Sequence, residues 1–149
     1  MTNRSDVIDE SRRWKGTPWV HQGHTRGLGC DCAGLVGGVA VSLGIVPADW
    51  WDFECAPHSG YSRQPLGNGL IVILDNFMHQ ISLEMAQPGD VLVMRFRRDP
   101  QHLAILAPYA TGGRAIVHAL SNPGCVVEHR LDDRWMARVT HAYSYPGVD

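Results

Sequence analysis

The chain lacks any surplus of positive charge: 13 Lys and Arg stand against 15 Asp and Glu, for a formal net charge of −2. Phosphate backbones and anionic lipid surfaces are bound by clustered cations, and the densest cluster here is Arg95, Arg97 and Arg98, so nucleic acid is not an expected partner. Long hydrophobic runs are also missing. A stretch such as residues 70–74 falls far short of the roughly 20 apolar residues that cross a bilayer, which excludes membrane insertion as an expectation and predicts a soluble chain. Residues 1–6 are polar and carry no basic-then-apolar leader, so the expected place of synthesis is the cytoplasm. There is no internal repeat and no low-complexity tract. Cysteine is sparse, at Cys30, Cys32, Cys55 and Cys125. A chain of 149 residues can bury a core without covalent staples, so it reads as a single domain, 1–149, with reduced thiols. Cys30 and Cys32 are too close to bridge each other, and Cys55 and Cys125 read as buried free thiols.

What is present divides into two halves. Residues 6–15 have acids early and bases late, as a helix dipole favours, and Gly16-Thr17-Pro18 stops them. Residues 19–29 read as a loop, and residues 32–43 as a second helix whose Gly34, Gly37 and Gly38 permit close backbone packing. Residues 48–67, rich in Trp, Pro and Gly, read as a surface loop and a wall for a cleft. The helical spacing of Leu70, Ile71, Ile73, Leu74, Phe77, Met78 and Ile81 predicts a third helix over 68–82. Beyond Asp90 the pattern changes to strands at 91–96, 102–107, 115–120, 125–130 and 135–143, with turns between them that include Asp132-Asp133. Helices followed by a meander predict an α+β fold, with the helices on one face of an antiparallel sheet.

Chemistry concentrates at Gly29-Cys30-Asp31-Cys32-Ala33-Gly34. Asp31 is a good N-cap, so the second helix starts at Cys32. Unpaired N–H groups and the helix dipole at that end predict a favoured thiolate, and the Cys32 N–H is placed to stabilise an oxyanion. His102 opens a strand and is the candidate general base; His118, one strand on, is the candidate that orients its ring. His129 and His141 read as structural. His21, His24, Cys30 and Cys32 make a zinc set by count, but C-x-C is tighter than a structural zinc knuckle, so no metal site is assigned.

Asp-Cys-Ala-Gly-Leu-Val, Pro-Gly-Asp-Val, His-Leu-Ala-Ile-Leu and Ile-Val-His-Ala, in that order over most of the chain, resemble the NlpC/P60 family of papain-like cysteine peptidases. Residues 16–19 and 21–32 are similar to cell-wall peptidases encoded among the tail genes of phages and gene-transfer agents. The resemblance implies a nucleophile-bearing helix packed on a sheet that carries the histidines, and hydrolysis of amide bonds in peptidoglycan stem peptides. It implies Cys32 as nucleophile, His102 as base and His118 as third polar residue, with Trp19, Asp31 and Cys32 at the oxyanion and substrate. Trp19 stands where many family members have tyrosine, offering an indole N–H in place of a hydroxyl. No cofactor is implied. The implied partners are peptidoglycan peptides and the tail-tip or baseplate proteins of a phage-like particle. The alternatives are a structural tail component that keeps the fold, and a thiol acyltransferase or amidase using the apolar surface of Trp50, Trp51 and Phe53.

Overall fold

The computed structural model describes residues 1–51 and 68–149. Residues 52–67, most of the expected aromatic-rich loop and with it Phe53 and Cys55, lie outside the described residues.

Helix α1 (Arg4–Arg13) starts two residues earlier than its charge pattern suggests, because its cap is set by Asn3. The Asn3 side chain accepts from the Asp6 N–H and the Asp6 carboxylate accepts from the Asn3 N–H, a reciprocal capping box. A small hairpin, β1 (His24–Thr25) with β2 (Gly29–Cys30), follows in the expected loop. Helix α2 (Cys32–Ser42) begins where predicted, with Asp31 Oδ1 accepting from the Gly34 N–H at 2.8 Å. Cys32 through Ala40 are all buried, as befits a helix that is apolar all round.

The glycines of α2 do what their spacing suggested. A Cβ at Gly37 would run into the ring of Trp50, one at Gly38 into Trp14, and one at Gly34 into the carbonyl of Gly23. The first two are met by side chains, whereas the third is met by backbone, which cannot swing away. Gly34 is therefore the residue that lets the 20–31 loop lie flat on the first turn of α2. Gly34→Ala is expected to cost about 1–3 kcal/mol, measured as a lower midpoint in urea, whereas alanine in an open helix position would stabilise. An unchanged or raised midpoint would show that the loop is not pinned there.

Helix α3 (Gly69–Phe77) buries Leu70, Ile73 and Leu74. It is shorter than the helical spacing over 68–82 predicts: Met78 turns extended, and His79–Ile81 form strand β3 on the sheet edge, followed by a 3₁₀ turn at Leu83–Met85. The competing interaction is a free ladder beside β8 (Val139–Ser144), which pairs Gln80 with Tyr143. The other strands are β4 (Val91–Arg95), β5 (Pro100–Pro108), β6 (Arg114–Leu120) and β7 (Cys125–Arg130), giving an antiparallel sheet in the order β3-β8-β4-β5-β6-β7. The last strand begins later than expected. Asp132 is a helix cap rather than half of a turn, accepting from the Trp135 N–H at 3.0 Å, so residues 133–136 form α4 (Asp133–Met136). Asp90 of Pro-Gly-Asp ties the start of β4 to α1, pairing with Arg4 at 2.6 Å and accepting from the Gln87 N–H.

The sheet has two covered faces. Leu103, Ile105, Ala115, Val117 and Ala119 join the helices in the larger core. Leu92, Met94, Ala104, Leu106, Ile116 and Ala142 form a smaller core on the opposite face, covered in part by Ile81, Leu131 and Trp135.

Candidate active site

Cys32 occupies the first helical position of α2, held by a loop that Asp31 fastens from both sides. Besides capping Gly34, the Asp31 carboxylate accepts from the Gln22 N–H through Oδ2 at 2.7 Å. Asp31 therefore shapes the helix start. Among the first N–H groups of α2, Gly34 and Leu35 bond to Asp31, and Ala33 points to the Cys32 sulfur. The Cys32 N–H has no backbone partner among the described residues.

The sulfur reaches the sheet where two strands part. The β5–β6 ladder runs from Pro108/Arg114 to Ile105/Val117 and ends there, while β6 continues to pair with β7 as far as Leu120. On β5, Leu106 donates to Asp90 and so faces β4. Alternation then turns the Leu103 N–H toward β6, into the split. That N–H meets the Cys32 sulfur. The thiol thus lies against the backbone of the residue that follows His102, and no hydrogen bond joins Cys32 to the His102 ring among the described residues.

The thiol is neutral. Burial pushes its pKa far above the ordinary value and the Asp31 charge pushes the same way, outweighing the N–H groups of Leu103 and Ala33. This corrects the sequence-based expectation of a favoured thiolate: a helix N-terminus lowers a thiol's pKa when water still reaches it, and Cys32 is only 9% exposed. Cys30, buried behind it on β2, is pushed up to about 12 by burial and Asp31.

His102 and His118 come together on the sheet face that carries Trp135. His102 Nε2 lies 2.7 Å from His118 Nδ1, both rings buried. The run continues past the expected pair. His118 Nε2 lies 2.8 Å from His129 Nε2, and His129 Nδ1 lies 2.9 Å from the Arg130 carbonyl. His129, read from sequence as structural, is the third imidazole of a chain of hydrogen bonds. The available signal was the β6–β7 hairpin: its register pairs Leu120 with Cys125 and Ile116 with His129, which puts 118 and 129 on one face as diagonal neighbours. Trp135 roofs all three rings, at 6.5, 5.0 and 5.2 Å between centroids. Phe96 closes the His102 end at 5.1 Å. Burial lowers the pKa of His102 to about 3, with a smaller contribution from His129; burial, His102 and His129 lower that of His118 to about 2. Both are neutral at physiological pH.

Trp19 lies at the foot of this region by its backbone. It bridges to Cys30 and its N–H donates to the Gly124 carbonyl at 2.8 Å, with its ring half-buried and stacked on His21 at 6.4 Å. His141 bonds Thr140 and stands apart from the imidazole chain. Among the described residues, His21, His24, Cys30 and Cys32 do not gather into a group of three possible metal ligands.

No family model and no curated protein matches the chain. Solved structures do. The NlpC/p60 domain of the peptidoglycan hydrolase SagA superposes with a TM-score of 0.63 at 23% identity, covering 96% of this chain and 99% of that one. An NlpC/P60 family protein from Bacillus cereus gives 0.66 at 18% identity, and NlpC2 from Trichomonas vaginalis 0.64 at 17%. The match takes in 95% and 97% of this chain but only 40% and 47% of those two. The chain therefore has the NlpC/P60 fold, α+β with helices packed on an antiparallel sheet.

Proposed function

We propose that this chain is a cysteine peptidase that hydrolyses amide bonds in peptidoglycan stem peptides. The observation that supports the reading is the contact of the Cys32 sulfur, at a helix start, with the Leu103 N–H at the β5–β6 split, one residue along β5 from a buried pair of hydrogen-bonded histidines, within a fold shared with a peptidoglycan hydrolase. Because thiol and imidazole are both neutral at rest, the nucleophile forms as it is used. His102 Nδ1 takes the thiol proton, and the sulfur attacks the amide carbonyl to give a tetrahedral oxyanion that accepts from the Cys32 N–H. Collapse breaks the C–N bond as His102 returns the proton to the leaving amine. Water, deprotonated by the same imidazole, then hydrolyses the thioester and restores the thiol.

The tail-borne setting and its tail-tip or baseplate partners rest on the sequence resemblance of residues 16–32, and action in a target-cell envelope follows from them. The acyltransferase or amidase alternative draws on Trp50, buried against Gly37, and on Trp51 beside it. A structural component without activity is favoured by one observation, the missing Cys32–His102 hydrogen bond. Purified peptidoglycan incubated with the chain and read by mass spectrometry separates these. New pairs of amine and carboxyl ends within stem peptides are expected; intact stems after long incubation would leave the structural reading.

A further inference from the structure

The Arg130 carbonyl has only lone pairs to offer, so the His129 Nδ1 beside it carries a proton. In neutral His129 the other nitrogen, Nε2, is then an acceptor. The consequence propagates, because each neutral imidazole has one donor and one acceptor. His118 must donate through Nε2 to His129, which makes His118 Nδ1 an acceptor. His102 must donate to it through Nε2. His102 Nδ1 is thereby left with a lone pair, and it is the His102 ring nitrogen with no hydrogen-bond partner among the described residues.

We propose that His129 is a positioning residue: anchored by the Arg130 carbonyl, it fixes the tautomer of His118 and through it of His102, so that His102 Nδ1 faces the reaction as a base. The proposal rests on the peptidase reading for its use, though not for its test. A single orienting residue beside His102 would not suffice, since an isolated histidine at position 118 can turn either nitrogen's role around. The backbone carbonyl at the far end removes that ambiguity, because it cannot donate. Trp135 packs over all three rings, and the His102–His118 joint is buried from water, whereas the joint to His129 is partly buried and the Arg130 anchor lies at the exposed end.

The tautomers can be read without substrate. Two-bond ¹H–¹⁵N correlation spectra of the ¹⁵N-labelled chain at pH 7.5, assigned with His102→Gln and His118→Gln, are expected to show His102 and His118 protonated on Nε2 and His129 on Nδ1. An acceptor-only replacement, His129→Glu, should keep His102 on Nε2. The donor-only His129→Lys should drive His102 to the Nδ1–H form and lower kcat on the order of 10²-fold with a small change in KM. His102 found on Nδ1 in the unaltered chain overturns the proposal, as does a His102 tautomer indifferent to Glu and Lys at 129. If the variants do not fold, the unaltered chain's spectrum decides. A chain with the expected tautomers and no hydrolysis would sink the peptidase reading alone.

Discussion

Cys32→Ala is expected to abolish release of products from peptidoglycan, by at least about 10³-fold in kcat/KM, with the melting temperature within a few degrees of the parent. The size of the effect follows from the site's economy of parts. His102 and His118 have no nucleophile of their own to activate, and the Cys32 N–H remains in the variant with no sulfur to attack beside it. The fold is expected to survive because little is removed: a thiol from a helix's first position, leaving a residue with high helix propensity and a small void, about 1 kcal/mol. The cap, in which the Asp31 carboxylate accepts from the Gly34 N–H, does not involve the Cys32 side chain and is untouched. Cys30→Ala supplies the contrast, since Cys30 is buried on β2 with its backbone bonded to Pro18 and Val20, and its thiol bears on Cys32 only as the last and smallest of the influences on that group's pKa. Loss of activity in Cys32→Ala with retention in Cys30→Ala assigns the nucleophile. Equal retention in both would remove Cys32 from the mechanism and leave a structural role for the fold.

The residues that sequence reading located were those whose local chemistry dictates their place. Asp31 before Cys32 is a cap wherever it stands, and the glycines of α2 announce close neighbours although they do not say which. His118 was placed behind His102 because successive strands of a meander are neighbours. The misplaced residues were governed by partners distant in sequence. Residues 79–81 continue the helical spacing of α3, and only the open edge of β8, some sixty residues on, gives them a better ladder. Asp132-Asp133 looks like a turn until the 133–136 helix is seen to lay Trp135 across three histidines. The thiol's protonation departs from the sequence expectation for a related reason. The helix end is visible in sequence, but the burial that overrides it comes in part from β5, whose Leu103 lies some seventy residues on from Cys32.

Acid is expected to unfold the chain through His102 and His118. Their folded-state pKa values are depressed, to about 3 and about 2, because burial excludes the charged imidazole. An unfolded chain binds those protons near the ordinary value of about 6.5. Above that pH neither state is protonated and the two histidines contribute no pH dependence. Below it the unfolded state gains protons that the folded state refuses, so stability falls with falling pH at roughly 1.4 kcal/mol per pH unit for each histidine. Between pH 7.5 and 5.0 the pair should remove on the order of 2–4 kcal/mol, a large part of the 5–15 kcal/mol typical of a domain. Urea titrations at the two pH values measure it directly. The double variant His102→Gln, His118→Gln keeps hydrogen-bonding groups at both places and binds no proton at either, so its loss over the same interval should be smaller by about that amount. Equal losses in parent and variant would mean that the histidines are charged in the folded chain. An ion pair with Cys32 would then replace the neutral resting state from which the proposed mechanism starts.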